Sequence, residues 1–317
     1  MVDDSQLAES KSIHKETGKT FYYATRVLPK RVREATYVLY AFFRVADEVV
    51  DAAGDAEPAD QRRQLEHIRE AALGRVETDD PILSAFAEMR ERYGIPDEEV
   101  DTFVDAMLTD LEKSRYYTYE EAEQYMRGSA AAVGVMKTYV MEPQDREAAI
   151  PRARTLGEAF QMTNFLRDVG EDIADRNRVY LPIETIQAFG GHVEDIETRE
   201  ATRGVRRAIE AELRRTERLY REGVAGIEYL PRDCQFPVLL AAVLYADHHR
   251  LIRDLEYDTV TTTPSLSRRR KVELVVKTRW YWLRNKDPEA VFAKVSAVPY
   301  GDVTAHGAEP GAPSPAR

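Results

Sequence analysis

Cysteine is nearly absent: Cys234 is the one thiol in 317 residues. No intrachain disulfide can form, which fits a reducing cytosol. Cys234 stands between Pro231 and Pro237 with no second thiol to pair with, and it reads as structural. Long apolar runs are missing too, and nothing approaches the ~18 residues that span a bilayer. The first fifteen residues are polar and charged, so no secretory signal is expected and the chain reads as cytoplasmic. There is no strand-like alternation, no βαβ pattern, no glycine-rich dinucleotide fingerprint and no short-period repeat. Gly18-Lys19-Thr20 lacks the spacing of a phosphate-binding P-loop, and Thr17 or Thr20 reads as a helix cap. Positive charge is in deficit: 45 Lys and Arg oppose 56 Asp and Glu, a formal net charge of -11. That balance excludes a nucleic-acid partner. It also means that an anionic substrate needs metal ions or a local basic patch. The acidic, arginine-rich composition fits a high-salt cytoplasm and a GC-rich genome equally.

What is there is helical. Hydrophobic residues make up 43% of the chain, enough for a sizeable core. Their three- and four-residue spacing predicts one all-α domain over residues 1–297, with a Gly/Pro/Ala-rich tail, 298–317, expected to be disordered. A helix is expected from near Lys30 to about Ala53, and a charged helix pair over 60–93, split near Gly74 to Pro81. The next helix opens at Pro96. Thr118 reads as an N-cap with Glu121 completing a capping box. Residues 125–141 read as a small-residue helix, and another runs from about Ile150 to Asp175. A long charged helix is expected over 203–228 and an apolar one over 236–256. His248 and His249, at the end of the latter, read as surface or cap residues. The Arg268–Lys271 cluster opens the last helix.

Two acidic stripes carry chemistry. On a continuous helix Asn164, Asp168 and Asp172 drift only about 40° per four-residue step. They form one oxygen-bearing face, flanked by Gln161 and Asp175, with Arg167 beside it to grip a phosphate. Carboxylates so spaced repel by a few tenths of a kcal/mol per pair. A cation removes that cost, and oxygen ligands of this kind suit Mg²⁺. Alone, such a stripe is most simply a solvated face. A second stripe upstream changes the balance: Tyr37, Tyr40, Arg44, Asp47 and Asp51 share a face of a helix otherwise rich in Val, Leu and Phe. An Arg44–Asp47 pair could be structural, but Asp51 then lacks a partner. Facing each other across a cavity, the stripes would hold several Mg²⁺ ions over a diphosphate, so that a C–O bond ionises in apolar surroundings.

The chain resembles the squalene/phytoene synthase family of head-to-head prenyltransferases. The resemblance rests on D-E-V-V-D at Asp47–Asp51, N-F-L-R-D-V-G-E-D at Asn164–Asp172, R-V-Y-L-P at Arg178–Pro182 and G-K-T-F at Gly18–Phe21. Y-x-x-G-S-A-A-A-V-G at Tyr125–Gly134 and the Arg268–Lys271 cluster also align, in family order, over about residues 12–285. It implies the isoprenoid-synthase fold, helices around a central cavity. It implies Mg²⁺, or Mn²⁺ in its place, held by Asp47, Asp51, Asn164, Asp168 and Asp172, the four aspartates being catalytic. It implies diphosphate contacts from Lys19, Tyr40, Arg44 and Arg167, with Gln161 in the pocket and Thr17, Lys19, Thr20 and Phe21 in a flap over it. Tyr125 and Tyr180 join the substrate-binding set through their motifs, and Tyr257 matches a family tyrosine near the second reaction step.

The chain departs from many members in having Ser129-Ala130-Ala131 for V-A-G, and from some in having Thr17 for His and Arg127 for Tyr. The Ser-Ala-Ala form looks most like microbial phytoene synthases. That implies condensation of two geranylgeranyl diphosphates through prephytoene diphosphate to phytoene, without NADPH. Peripheral membrane association would help release the hydrocarbon. The alternatives are a squalene or dehydrosqualene synthase using farnesyl diphosphate, and a non-catalytic scaffold of the same fold.

Overall fold

The computed structural model describes residues 25–51 and 57–300. Thr17, Lys19, Thr20, Phe21 and the expected tail beyond residue 300 lie outside them, as does the expected helix end at Ala53. Among the described residues there is no strand, only one isolated bridge between Arg115 and Val179. No helix there is long and apolar enough to cross a membrane.

Helix α1 (Lys30–Asp51) starts after Pro29 and buries Val38, Leu39, Phe42 and Phe43. Two amphipathic helices, α2 (Pro58–Ala72) and α3 (Pro81–Tyr93), cover it, and Phe42 stacks on Phe86 at 3.8 Å. Asp80 caps α3 by accepting from the amides of Ile82 and Leu83, and Gly94 ends it at φ 64°, where a side chain would be strained. Helix α4 (Asp97–Glu112) follows Pro96.

Helices α5 (Tyr119–Met126) and α6 (Ala132–Met141) are joined without a gap by a π-helical turn, Arg127–Ala131. The single small-residue helix expected from Tyr125 onward is therefore interrupted. Thr118 caps α5 as expected, accepting from Glu121 N at 3.2 Å; the Glu121 carboxylate reaches the amide of Tyr117 at 2.9 Å.

Helix α7 (Arg146–Arg167) is central and packs against α5, the π turn, α6 and the helices that follow it. Asp145 caps it by accepting from Ala148 N. It starts a turn earlier than expected because Pro151 is tolerated inside it, forfeiting one ladder bond. Small residues let it approach α6 backbone to backbone: a Cβ on Gly134 would lie 2.6 Å from the Ala153 carbonyl, and one on Gly157 2.5 Å from that of Ala130.

The expected run to Asp175 is broken. At Asp168 the backbone leaves the helical region (φ -105°, ψ 17°), and α8 (Val169–Arg176) begins afresh. The cause is tertiary. Gly170 N donates to Thr259 O at 3.0 Å instead of continuing the ladder, and a Cβ there would sit 1.9 Å from Val260 O.

Two short helices, α9 (Ile183–Ala188) and α10 (Val193–Glu197), lead to α11 (Arg203–Ala225), which a 3₁₀ turn (Gly226–Tyr229) extends. Helix α12 (Arg232–Asp254) buries nearly its whole apolar length. His248 and His249 are buried, not on the surface as expected. His249 Nε2 lies 3.0 Å from Thr163 Oγ1, and His248 Nδ1 lies 3.0 Å from Tyr245 O. Burial pushes the His249 imidazole down to about 3, so it is neutral. Helix α13 (Arg268–Arg284) lies on α12, and a further helix, α14 (Pro288–Val295), follows the one expected to be last.

Candidate active site

A cavity of about 300 Å³ runs between α1, α6, α7 and α12. Its wall is mostly apolar, with Phe43, Val133, Met141, Phe160, Ile227 and Val238 among its residues. Among the described residues, the charged and amide groups on it are few: Arg44, Asp47, Lys137, Gln161 and Asn164. Tyr40 lines it as well. Helix periodicity explains the first set: Tyr40, Arg44 and Asp47 stand at i, i+4 and i+7 on α1. Gln161 and Asn164 stand at i and i+3 on α7.

Both acidic motifs converge at one end, joined by an arginine. Arg176 Nε lies 3.1 Å from Asp51 Oδ1, and its Nη1 lies 3.2 Å from Asp172 Oδ1. Arg44 adds a contact to Asp51 at 3.7 Å and one to Glu48 at 3.2 Å. Asp51, left without a partner by the sequence, thus stands between two guanidinium groups. Arg167 does not reach across; its Nε takes the carboxylate of its neighbour Asp168 at 2.6 Å.

The electrostatics are those of crowded, sheltered carboxylates. Burial, then the neighbouring Asp51, pushes the Asp47 carboxyl up to about 7. Burial, then Asp168, does the same to Asp172, also to about 7. The side-chain oxygen of Asn164 is buried without a hydrogen-bond partner. An orphaned carbonyl oxygen beside sheltered carboxylates is the donor chemistry a hard cation uses. Among the described residues, no three Asp, Glu, His or Cys side chains stand close enough to share one ion.

Of the expected set, Tyr40, Arg44, Asp47, Gln161 and Asn164 line the cavity, while Asp51, Arg167, Asp168 and Asp172 lie off its wall. Three more expected site residues fall elsewhere. Tyr125 and Tyr180 are not on the cavity wall. Their hydroxyls donate to Asp110, at 2.7 Å and 3.3 Å, within a buried stack that includes Tyr116 and Phe165. Tyr257 lies beyond α12 in a left-handed conformation (φ 62°), its hydroxyl 3.4 Å from Glu210. The cavity does not include it.

Asp110, Arg176 and Lys137 are the residues that sequence reasoning passed over. Asp110 is buried with Arg178 beside it at 3.6 Å, and burial holds its carboxyl above the usual range against that charge. Arg176 was legible as the i+4 partner of Asp172. Lys137 sits on the apolar wall, where burial lowers its amine to about 8. Nothing in its local sequence marks it.

An all-helical fold with two acidic motifs at the mouth of an apolar cavity defines the isoprenoid-synthase class. The chain belongs to the squalene/phytoene synthase family, whose model matches residues 14–274. It is 32% identical over 286 residues to a phytoene synthase of Rhodobacter capsulatus, covering 87% of this chain and 81% of that one. It is 35% identical over 245 residues to the phytoene synthase of Thermus thermophilus, covering 76% and 81%. Among solved structures it is similar to a dehydrosqualene synthase in complex with ligand, with a TM-score of 0.78 and 28% identity over 89% of this chain and 98% of the other.

Proposed function

We propose that this chain is a phytoene synthase, condensing two geranylgeranyl diphosphates head to head through prephytoene diphosphate and releasing diphosphate. The observation that carries the reading is one continuous space with polar, acidic residues at one end and an apolar wall beyond. It suits an amphiphile with a charged head and a long hydrocarbon chain. The similarity to phytoene synthases over most of the chain selects this member of the class.

The oxygen donors Asp47, Asp51, Asn164, Asp168 and Asp172 suit hard divalent cations, Mg²⁺ above others, shared out among several ions rather than gathered round one. Bound there, cations would neutralise the charge that grows on a departing diphosphate. The rest of the work belongs to the chain itself. Arg44 and Gln161 face the cavity at the same end and orient the anionic head. Tyr40 adds a hydroxyl. Phe43, Phe160 and the aliphatic wall exclude water, so that an allylic cation survives long enough to meet the second chain. The backbone approach of α6 to α7 leaves Ser129, Ala130 and Gly134 as a thin wall. Thin walls leave room for prenyl chains. Arg167 holds Asp168, and Arg176 holds Asp51 and Asp172.

The likeness to a dehydrosqualene synthase favours a second reading, the same reaction on farnesyl diphosphate. A non-catalytic scaffold is disfavoured, because sheltered carboxylates cost stability and serve no packing purpose. The test is incubation with Mg²⁺ and each prenyl diphosphate, with and without NADPH, followed by identification of the hydrocarbon. Phytoene formed without reductant is expected. A clear kcat/KM preference for the C15 substrate, or a product that needs NADPH, moves the chain to the squalene-type branch. Undiminished turnover in excess EDTA would refute the metal requirement.

A further inference from the structure

Helix α13 is apolar on two opposite sides. Its inner side buries Leu274, Thr278 and Trp282 against α12 and α14. Its outer side exposes Val272 (62%), Val276 (63%), Trp280 (56%) and Leu283 (60%). At 100° per residue these four fall within about 80° of arc, facing away from the buried side. Elsewhere on the described surface, exposed large apolar side chains are scattered singly. Here they form a stripe, and contiguous exposed apolar surface marks an interaction site.

Charge identifies the occupant. The helix carries seven basic residues and one acidic, Glu273, in a chain whose formal net charge is -11. Arg268, Arg269, Arg279 and Arg284 are exposed along the stripe. The Arg284 guanidinium lies 3.3 Å from the centre of the Trp280 ring, a cation–aromatic pair turned outward. An outward Trp with aliphatic neighbours and a cationic border is the composition of a helix lying in a lipid headgroup layer. A second copy of the helix is a poor partner, since two such faces would bring basic against basic.

We propose that the outer face of α13 docks this protein on an anionic lipid surface. The placement suits a substrate and product of low water solubility. Phe236, near the start of α12, touches Trp282 and the Arg279 guanidinium. One residue further, Pro237 and Val238 line the apolar cavity. The docking helix therefore lies directly behind the wall of that cavity.

Both tryptophans of the chain are in this helix, one exposed and one buried, which makes it self-reporting. The experiment uses the full chain with vesicles of phosphatidylcholine, alone or with phosphatidylglycerol, at low and high salt. Co-sedimentation and quenching of tryptophan emission by brominated lipid are measured. Binding to anionic vesicles is expected to exceed that to neutral ones by at least roughly tenfold and to weaken with salt. Trp280→Ser with Leu283→Ser should lose quenching and sedimentation while keeping the helical circular dichroism and turnover in detergent. Arg268→Glu with Arg269→Glu should lose binding with the apolar stripe intact. Equal binding to both vesicle types, or none, overturns the proposal. So does a dimer in sedimentation velocity that Trp280→Ser converts to monomer, which would assign the face to a second copy.

Discussion

Asp47 and Asp51 ride one unbroken helix, whereas Asp168 and Asp172 are divided by a break in theirs. Both pairs have the same four-residue spacing, yet they reach the site by different means. The first is placed by helix periodicity alone. The second depends on a distant segment, Thr259-Val260, which takes the amide of Gly170 and presses against its α-carbon. Local rules suffice for one motif; the other is positioned by tertiary packing.

Removing the carboxylates tests what the two pairs share, and carries the largest expected effect. Asp47→Ala, Asp51→Ala, Asp168→Ala and Asp172→Ala should each lower kcat by about a thousandfold or more while leaving the helical fold. A variant whose circular dichroism shows it unfolded would mark that residue as structural instead. Exchanging the third motif residues tests what separates them. Gly170→Val should cost about 3 kcal/mol, because its side chain must displace the Val260 carbonyl. Val49→Gly, the reverse change on the unbroken helix, should cost about 1 kcal/mol. Urea midpoints of the two variants measure the difference, and equal losses would contradict the account of the break.

The apolar end of the cavity offers a contrast with its acidic end. Lys137→Met removes the amine on this wall whose protonation burial perturbs, and it should change how stability depends on pH. Burial lowers this amine to about 8 from its ordinary 10.5. Between those values the unfolded chain holds a proton that the native chain lacks, so the wild type gains stability as pH rises through that window. Below pH 8 the penalty is fully present. A stability profile from pH 7 to 10.5 should be flatter in the variant, and identical slopes would exclude burial as the cause.

The smallest effect concerns the bridge between the motifs. Arg176 is part-exposed, so Arg176→Gln should cost only about 1 kcal/mol without metal. Mg²⁺ should then raise the Tm of the variant more than that of the wild type, because a countercharge is missing. An unchanged Mg²⁺ response would show that the arginine does not serve as one.

The helical class and the first acidic stripe were legible because they rest on periodicity within single helices. The second stripe was legible as a set of residues but not as a shape, since the segment that breaks it lies some ninety residues downstream. Tyr125 and Tyr180 sit in recognisable motifs, yet their hydroxyls serve Asp110, a residue that spacing alone leaves among ordinary helix polar positions. The histidine pair was misread for a related reason. Side-by-side residues on an amphipathic helix point apart, but α12 is buried on nearly every side, so both directions lead inward.

The π turn at Arg127–Ala131 carries a consequence for the evolution of this wall. It inserts about one residue beyond α-helical spacing, and each residue rotates the downstream helix by about 100°. Upstream of it Tyr125 is aimed at Asp110; downstream Val133 and Lys137 are aimed at the cavity. Deleting any one of the five residues would restore a smooth helix of better local geometry and put one of those two aims out of phase. The wall thus works like a key with two bits cut at a fixed angle. Its side chains can drift one at a time, but its length is held to the residue.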